Sequence, residues 1–151
     1  MTSVAKAFDP ETVLLAKHAQ HVVLVHFPIA LFLAGVALDW AGRWTKRNAL
    51  EQAAYYNLLF AAISTLPVIA TGLLAWQFQL EGQRLKGILL LHLILGWTPA
   101  LLICLTWWLH FRARRRQTTA SSYLWIVESA GVAAVTLAGH LGGFLSGVSG
   151  G

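Results

Sequence analysis

Four apolar stretches limit what this chain can fold into. They cover residues 22–41, 54–76, 87–109 and 123–146. An α-helix rises about 1.5 Å per residue, so each stretch is long enough to cross a hydrocarbon core about 30 Å thick. The stretches are continuous and too long for membrane β-strands, which alternate in polarity and span about ten residues. We therefore predict four transmembrane helices.

Composition supports a membrane protein and excludes two other classes. Of the 151 residues, 57% are hydrophobic and only 11% are charged. A soluble domain carries about 25% charged residues, and a disordered chain has little apolar surface. A soluble globular enzyme and a disordered chain are therefore excluded. Short polar connections make sequential helices antiparallel, so we predict an all-α, four-helix antiparallel bundle that forms one membrane domain over residues 1–151.

The predicted connections and termini are polar. The connections cover residues 42–53, 77–86 and 110–122. Residues 1–10 lack the apolar segment of a signal peptide, and Asp9 followed by Pro10 is typical of a helix start. We expect a short interfacial helix over residues 10–18. The Gly- and Ser-rich residues after 146 are predicted to be irregular.

The basic residues indicate an orientation. Seven of the 11 Lys and Arg residues lie at the end of the bundle reached after the first and third spans, which we name the basic end. We name the opposite end, which holds both termini, the histidine end. The positive-inside rule places the basic end in the cytoplasm and both termini outside it. The excess of basic residues then marks topology and implies no nucleic-acid partner. The basic end holds Arg43, Lys46, Arg47, Arg112, Arg114, Arg115 and Arg116, and the histidine end holds Lys6, Lys17, Arg84 and Lys86.

Histidine is unusually frequent for so apolar a chain, with six copies. His26, His92 and His140 fall about 6, 8 and 9 Å inside the predicted span ends at the histidine end. Ionisable side chains inside membranes are rare and usually face the bundle interior or a polar cavity. Three helices are therefore predicted to bring an imidazole to one layer. His18 and His21 form a group at the entrance to that layer.

Small residues accompany these histidines. Ala30 and Gly96 follow a histidine by four residues and Gly143 follows one by three, so each lies on the same helix face as its histidine. Such a face leaves a slot beside the imidazole. A flat macrocycle such as haem needs a slot of this kind together with axial imidazoles. Close packing of helices through small residues explains the same pattern and stays open as an alternative.

The other polar residues of the spans lie toward the basic end. Asp39 and Glu128 are predicted to pair with Arg or Lys or with backbone donors, and a proton relay is the alternative. His110 is predicted to lie at the surface of this end. The single cysteine, Cys104, excludes a disulfide within the chain and is predicted to be a buried packing residue.

The first span opens with the sequence HVVLVHFPIAL at residues 21–31. This opening resembles that of the DUF2231 family of bacterial membrane proteins, whose function is unknown. Further similarities are the ATGLL sequence at residues 70–74, a histidine early in the third span and GHLGG at residues 139–143. The resemblance covers about residues 18–148 and departs from the family pattern at residues 144–147. It implies a multi-pass protein of the bacterial inner membrane. Some relatives carry c-type cytochrome domains, which implies a redox setting.

The leading functional hypothesis is a small membrane electron-transfer subunit that binds haem b. Two of His26, His92 and His140 would be axial ligands, and the third, or His21, would bind a propionate or a quinone. Such a subunit would connect an extracytoplasmic c-type cytochrome or dehydrogenase with the quinone pool. Little of the chain lies outside the membrane, so we do not expect an enzyme that acts alone.

Two alternatives stay open. One is a cofactor-free structural or assembly subunit of a larger membrane complex, in which the histidines form hydrogen bonds between helices. The other is a copper, zinc or iron site on His26, His92 and His140, because imidazole suits these metals.

Overall fold

The computed structural model describes residues 17–79, 87–116 and 122–145. They form four helices: α1 (Lys17–Thr45), α2 (Asn48–Gln79), α3 (Gly87–Arg116) and α4 (Ser122–Leu145). Each helix contains a stretch that is long and apolar enough to cross a membrane. The predicted all-α fold with four spans is confirmed. The interfacial helix expected over residues 10–18 and the irregular residues after 146 lie outside the described residues, except that α1 begins at Lys17.

At the basic end the helices are longer than the apolar stretches predicted. The polar connection expected over residues 42–53 shrinks to Lys46 and Arg47, because α1 ends at Thr45 and α2 begins at Asn48. Helix α3 likewise continues to Arg116. Arg and Lys are good helix formers, and cations are stabilising near a helix C-terminus. Hydropathy therefore marks the end of the membrane core, and the helices continue beyond it.

A two-residue turn makes α1 and α2 a tight hairpin. Lys46 has a left-handed backbone with φ of 56°. The Arg47 N–H donates to the Gly42 carbonyl at 3.1 Å, and the Arg47 carbonyl accepts from the Leu50 N–H at 3.0 Å. A Cβ at Gly42 would lie 2.8 Å from Cγ of Glu51. Glycine at position 42 therefore lets the two helices approach closely beside the turn.

The apolar core joins the two hairpins near the middle of the bundle. The Phe32 ring packs against Gly131, where a Cβ would lie 2.6 Å from Phe32 Cζ. Helices α1 and α2 pack together over the largest surface, followed by α3 with α4, whereas α1 and α4 meet over a small one. The residues of the core cluster are Phe32, Val36, Leu58, Ala61, Ala62, Ile103 and Val135.

Arginine side chains lie over aromatic rings at the basic end. The guanidinium carbon of Arg114 lies 4.4 Å from the centre of the Tyr55 ring, and that of Arg112 lies 5.2 Å from the Trp108 ring. Trp44 is 89% exposed. Aromatic and basic residues together are typical of the level of the lipid head groups.

Candidate functional site

Four polar side chains from three helices meet near the basic end. We name Asp39 and Arg43 of α1, His110 of α3 and Glu128 of α4 the ion cluster. Asp39 is 4% exposed and Glu128 is fully buried. Burial of a charge is costly unless the charge is paired and hydrogen-bonded, so the contacts within the cluster decide whether the bundle tolerates it.

The ion cluster is centred on Glu128. Arg43 Nη2 donates to Glu128 Oε1 at 3.0 Å and also forms an ion pair with Asp39. His110 Nε2 lies 2.8 Å from Glu128 Oε1, and His110 Nδ1 lies 3.8 Å from Asp39 Oδ1. Trp40 Nε1 donates to Glu128 Oε2 at 2.7 Å. The prediction that Asp39 and Glu128 pair with a basic residue is confirmed.

Helical spacing explains how the residues of α1 and α4 reach the cluster. Asp39 and Arg43 are four residues apart and therefore lie on the same face of α1. Glu128 follows the buried Leu124 by four residues and precedes the buried Val135 by seven, so all three share the inward face of α4.

The prediction for His110 is wrong. It was expected at the surface, but its side chain is 11% exposed and contacts both carboxylates. The predicted span ended at residue 109, whereas α3 continues as a helix through that point. His110 follows the buried Ile103 and Thr106 by seven and four residues. This spacing is the sequence signal that places His110 on the inward face.

The prediction for Cys104 is also wrong, because this residue is exposed. It directly follows Ile103, which faces the core, and successive helical residues are about 100° apart around the axis. Its sulfur lies 3.8 Å from Thr65 Oγ1 of α2. Cys104 therefore lies on the outer side of the contact between α2 and α3.

A cavity of about 340 Å³ lies beside the ion cluster. Arg43 lines it, and its buried Nε and Nη1 have no hydrogen-bond partner among the described residues. Asp39 Oδ2 contacts the guanidinium as an ion pair but accepts no hydrogen bond. The cavity thus has incompletely satisfied polar groups at its wall. It is lined by Asp39, Arg43, Asn48, Glu51, Gln52, Tyr55, His110, Ala113, Arg114 and Leu124.

The cluster also contains a set of metal-type ligands. Asp39, His110 and Glu128 each offer a ligand atom, and these atoms lie within 4.8 Å of one another. Among the described side chains, these three form the group of His, Cys, Asp and Glu residues that meets this criterion. They differ from the histidines expected from the sequence to hold a metal.

The histidine end has a different character. His26 of α1 and His140 of α4 are exposed. His21 Nδ1 lies 3.2 Å from Thr71 Oγ1 of α2, and the His21 ring packs against Gly72. Two of the motifs that carried the family resemblance therefore touch each other. The side chains of His18, His92 and Gly143 lie outside the described part of the structure, although their helices are described.

The ion cluster serves as a reference point for the positions of the histidines along their helices. His26 lies 13 residues along α1 from Asp39, and His140 lies 12 residues along α4 from Glu128. These separations correspond to about 20 and 18 Å along the helices. The two histidines therefore lie at nearly the same level.

His92 belongs to another level. It lies 18 residues along α3 from His110, which corresponds to about 27 Å. His21 is also 18 residues from Asp39. Counted along the helices, His21 and His92, which we name the outer level, are about 8 Å farther from the ion cluster than His26 and His140.

Gly96 and Gly139 at the histidine end have no close neighbours among the described residues of other helices. A Cβ built on Gly96 or Gly139 would come within 4 Å of no described side chain or neighbouring helix, and Ala30 is exposed. The contact of α1 and α4 at Phe32 and Gly131 lies nearer to the basic end. Close helix packing therefore does not account for Gly96 and Gly139 within the described structure.

The fold and its spans define a multi-pass integral membrane protein. A family described as "Predicted membrane protein (DUF2231)" matches residues 17–150, and the chain belongs to this family. Comparison with curated proteins and with solved structures gave no significant match. The family description states membrane location and no activity.

Proposed function

We propose that the protein is a small membrane electron-transfer subunit that binds haem b at the histidine end, between α1 and α4. The main supporting observation is that His26 and His140 lie at nearly the same distance from the ion cluster, on two helices that meet over a small surface. These two histidines would be the axial ligands. Ligation by two imidazoles closes both axial positions of the iron and favours electron transfer over oxygen chemistry.

The surroundings of this pair support a flat cofactor. Ala30 lies one turn from His26 and Gly143 nearly one turn from His140, and the Gly139 surface is open. Cofactor sites in helical bundles are built from side chains on facing helices. Small residues beside both ligands leave room for a macrocycle, and Gly96 on α3 extends the open surface.

The outer level would serve the exchange of electrons. His21 and His92, with His18 beyond them, would bind a haem propionate or a quinone head group by hydrogen bonds. Electrons would pass between an extracytoplasmic c-type cytochrome or dehydrogenase and the quinone pool. This arrangement requires the histidine end to face outward from the bacterial inner membrane, as the positive-inside rule predicts.

A cofactor-free structural subunit is the second candidate. The observation that favours it is the contact of His21 with Thr71, which uses a histidine as a hydrogen-bond partner between helices. A metal site formed by His26, His92 and His140 together receives less support. The register along the helices separates His92 from the other two by about 8 Å.

Absorption spectroscopy tests the haem proposal. The purified full-length protein would be scanned from 400 to 600 nm before and after addition of dithionite. We expect a Soret band and sharpened α and β bands after reduction. His26→Ala and His140→Ala should each abolish the bands or shift them strongly, whereas His92→Ala should retain them. A folded protein without these bands would contradict the proposal, and metal analysis of the same sample tests the metal alternative.

A further inference from the structure

We propose that the ion cluster is a binding site for a divalent metal ion, with Asp39, His110 and Glu128 as its ligands. This inference is independent of the haem proposal, because it concerns other residues at the opposite end of the bundle.

The ligand geometry supports such a site. One imidazole nitrogen and two carboxylate oxygens from three different helices lie within 4.8 Å of one another. His110 Nε2 and Glu128 Oε1 are already 2.8 Å apart. Mixed imidazole and carboxylate ligands suit Mn²⁺, Fe²⁺ or Zn²⁺. Trp40 Nε1 donates a hydrogen bond to Glu128 Oε2 and so helps to orient this carboxylate. Outer-shell partners orient metal ligands in the same way.

The charges of the cluster favour a divalent ion. Arg43 is the one arginine of the cluster, and its single positive charge contacts the two carboxyl groups of Asp39 and Glu128. An uncompensated charge in a membrane bundle is costly. A divalent ion would neutralise both carboxylates. Arg43 therefore occupies part of the place that the ion would take, and its Nε and Nη1 have no acceptor among the described residues.

The cavity has room for the Arg43 side chain when it is displaced. It also offers the divalent ion a path to the cluster. Glu51 of α2 lines the same cavity as Arg43, so its carboxylate would receive the displaced side chain. Asp39 and His110 also line the cavity, together with polar residues such as Asn48 and Gln52. A hydrated ion would reach two of the three ligands through polar surroundings near the basic end.

Zinc binding tests the proposal. The full-length protein in detergent micelles would be treated with a chelator, passed over a desalting column and titrated with Zn²⁺, and bound zinc would be measured by elemental analysis. We expect saturation at about one ion per chain. Asp39→Asn, His110→Gln and Glu128→Gln should each weaken the affinity about tenfold or more. Arg43→Met keeps much of the side-chain length and removes the competing charge, so it should strengthen binding about tenfold.

Variants at the other end separate this site from the haem proposal. His26→Ala and His140→Ala should leave zinc affinity unchanged, and a loss in these variants would overturn the assignment. Absence of saturable binding, wild-type affinity in the three ligand variants, or no gain in Arg43→Met would each overturn it too. Circular dichroism checks the fold of every variant, because an unfolded chain could also bind zinc through its histidines. A protein that binds zinc here but lacks haem would overturn the haem proposal alone.

Discussion

The two ends of the bundle expose their polar side chains to different degrees. At the basic end, Asp39 and Glu128 are buried and each contacts Arg43 and His110. At the histidine end, His26 and His140 are exposed on helices that meet over a small surface. The comparison shows that polar residues within one membrane bundle differ in burial. Those at the basic end join three helices, whereas His26 and His140 lie at the surface of the bundle.

The largest expected effect tests whether the basic end holds the bundle together. Glu128→Ala removes the acceptor shared by Arg43, His110 and Trp40 and leaves a buried positive charge at Arg43 without this partner. We expect the free energy of unfolding in detergent micelles to fall by about 3–5 kcal/mol. The matched variant Leu137→Ala, on α4 toward the histidine end and 59% exposed, should change it by less than about 0.5 kcal/mol. Equal effects would contradict the contrast between the ends.

Gly131 and Gly139 of α4 provide a second comparison between a packed and an open position. In Gly131→Ala the new methyl group would lie 2.6 Å from Phe32 Cζ, so the ring must shift, and we expect a loss of about 1–3 kcal/mol. Gly139→Ala would meet no described neighbour and should be neutral or stabilising by up to about 1 kcal/mol, because alanine favours helix. Thermal unfolding of both variants measures the difference. A larger loss at Gly139 would indicate that the histidine end is closely packed.

The smallest expected effect concerns the hydrogen bond at the histidine end. Thr71→Val removes the hydroxyl that contacts His21 Nδ1, and we expect a loss of about 1 kcal/mol. Thr98→Val is the control, because the Thr98 hydroxyl donates to the Ile94 carbonyl within its own helix. Chemical denaturation of both variants provides the measurement. If the loss in Thr71→Val does not exceed that in Thr98→Val, this contact does not stabilise the fold.

The sequence was sufficient to predict the number and type of elements. The thickness of the bilayer sets the length of each apolar stretch, so hydropathy reveals the four spans directly. The helix ends at the basic end could not be obtained in this way. Lys, Arg, Asn and Glu are compatible with helix once the chain leaves the membrane core, and α1, α2 and α3 all contain such residues beyond the predicted spans.

The candidate sites were predicted in part. Pairing of Asp39 and Glu128 with basic residues follows from the cost of buried charge, and it is observed. The role of His110 was missed because it depends on the rotation of α3 and because the predicted span ended at residue 109, whereas the helix continues to Arg116. The common layer of His26, His92 and His140 stays a prediction, because depths estimated from separate span ends accumulate the errors of all those ends.

The ratio of haem to protein tests the central claim most directly, namely that the open histidine end accommodates a cofactor. The pyridine haemochrome assay would be applied to the purified wild-type chain and to the double variant His26→Ala with His140→Ala. We predict about one haem per wild-type chain and almost none in the double variant. A folded wild-type protein without haem, or a double variant with full haem content, would contradict the account.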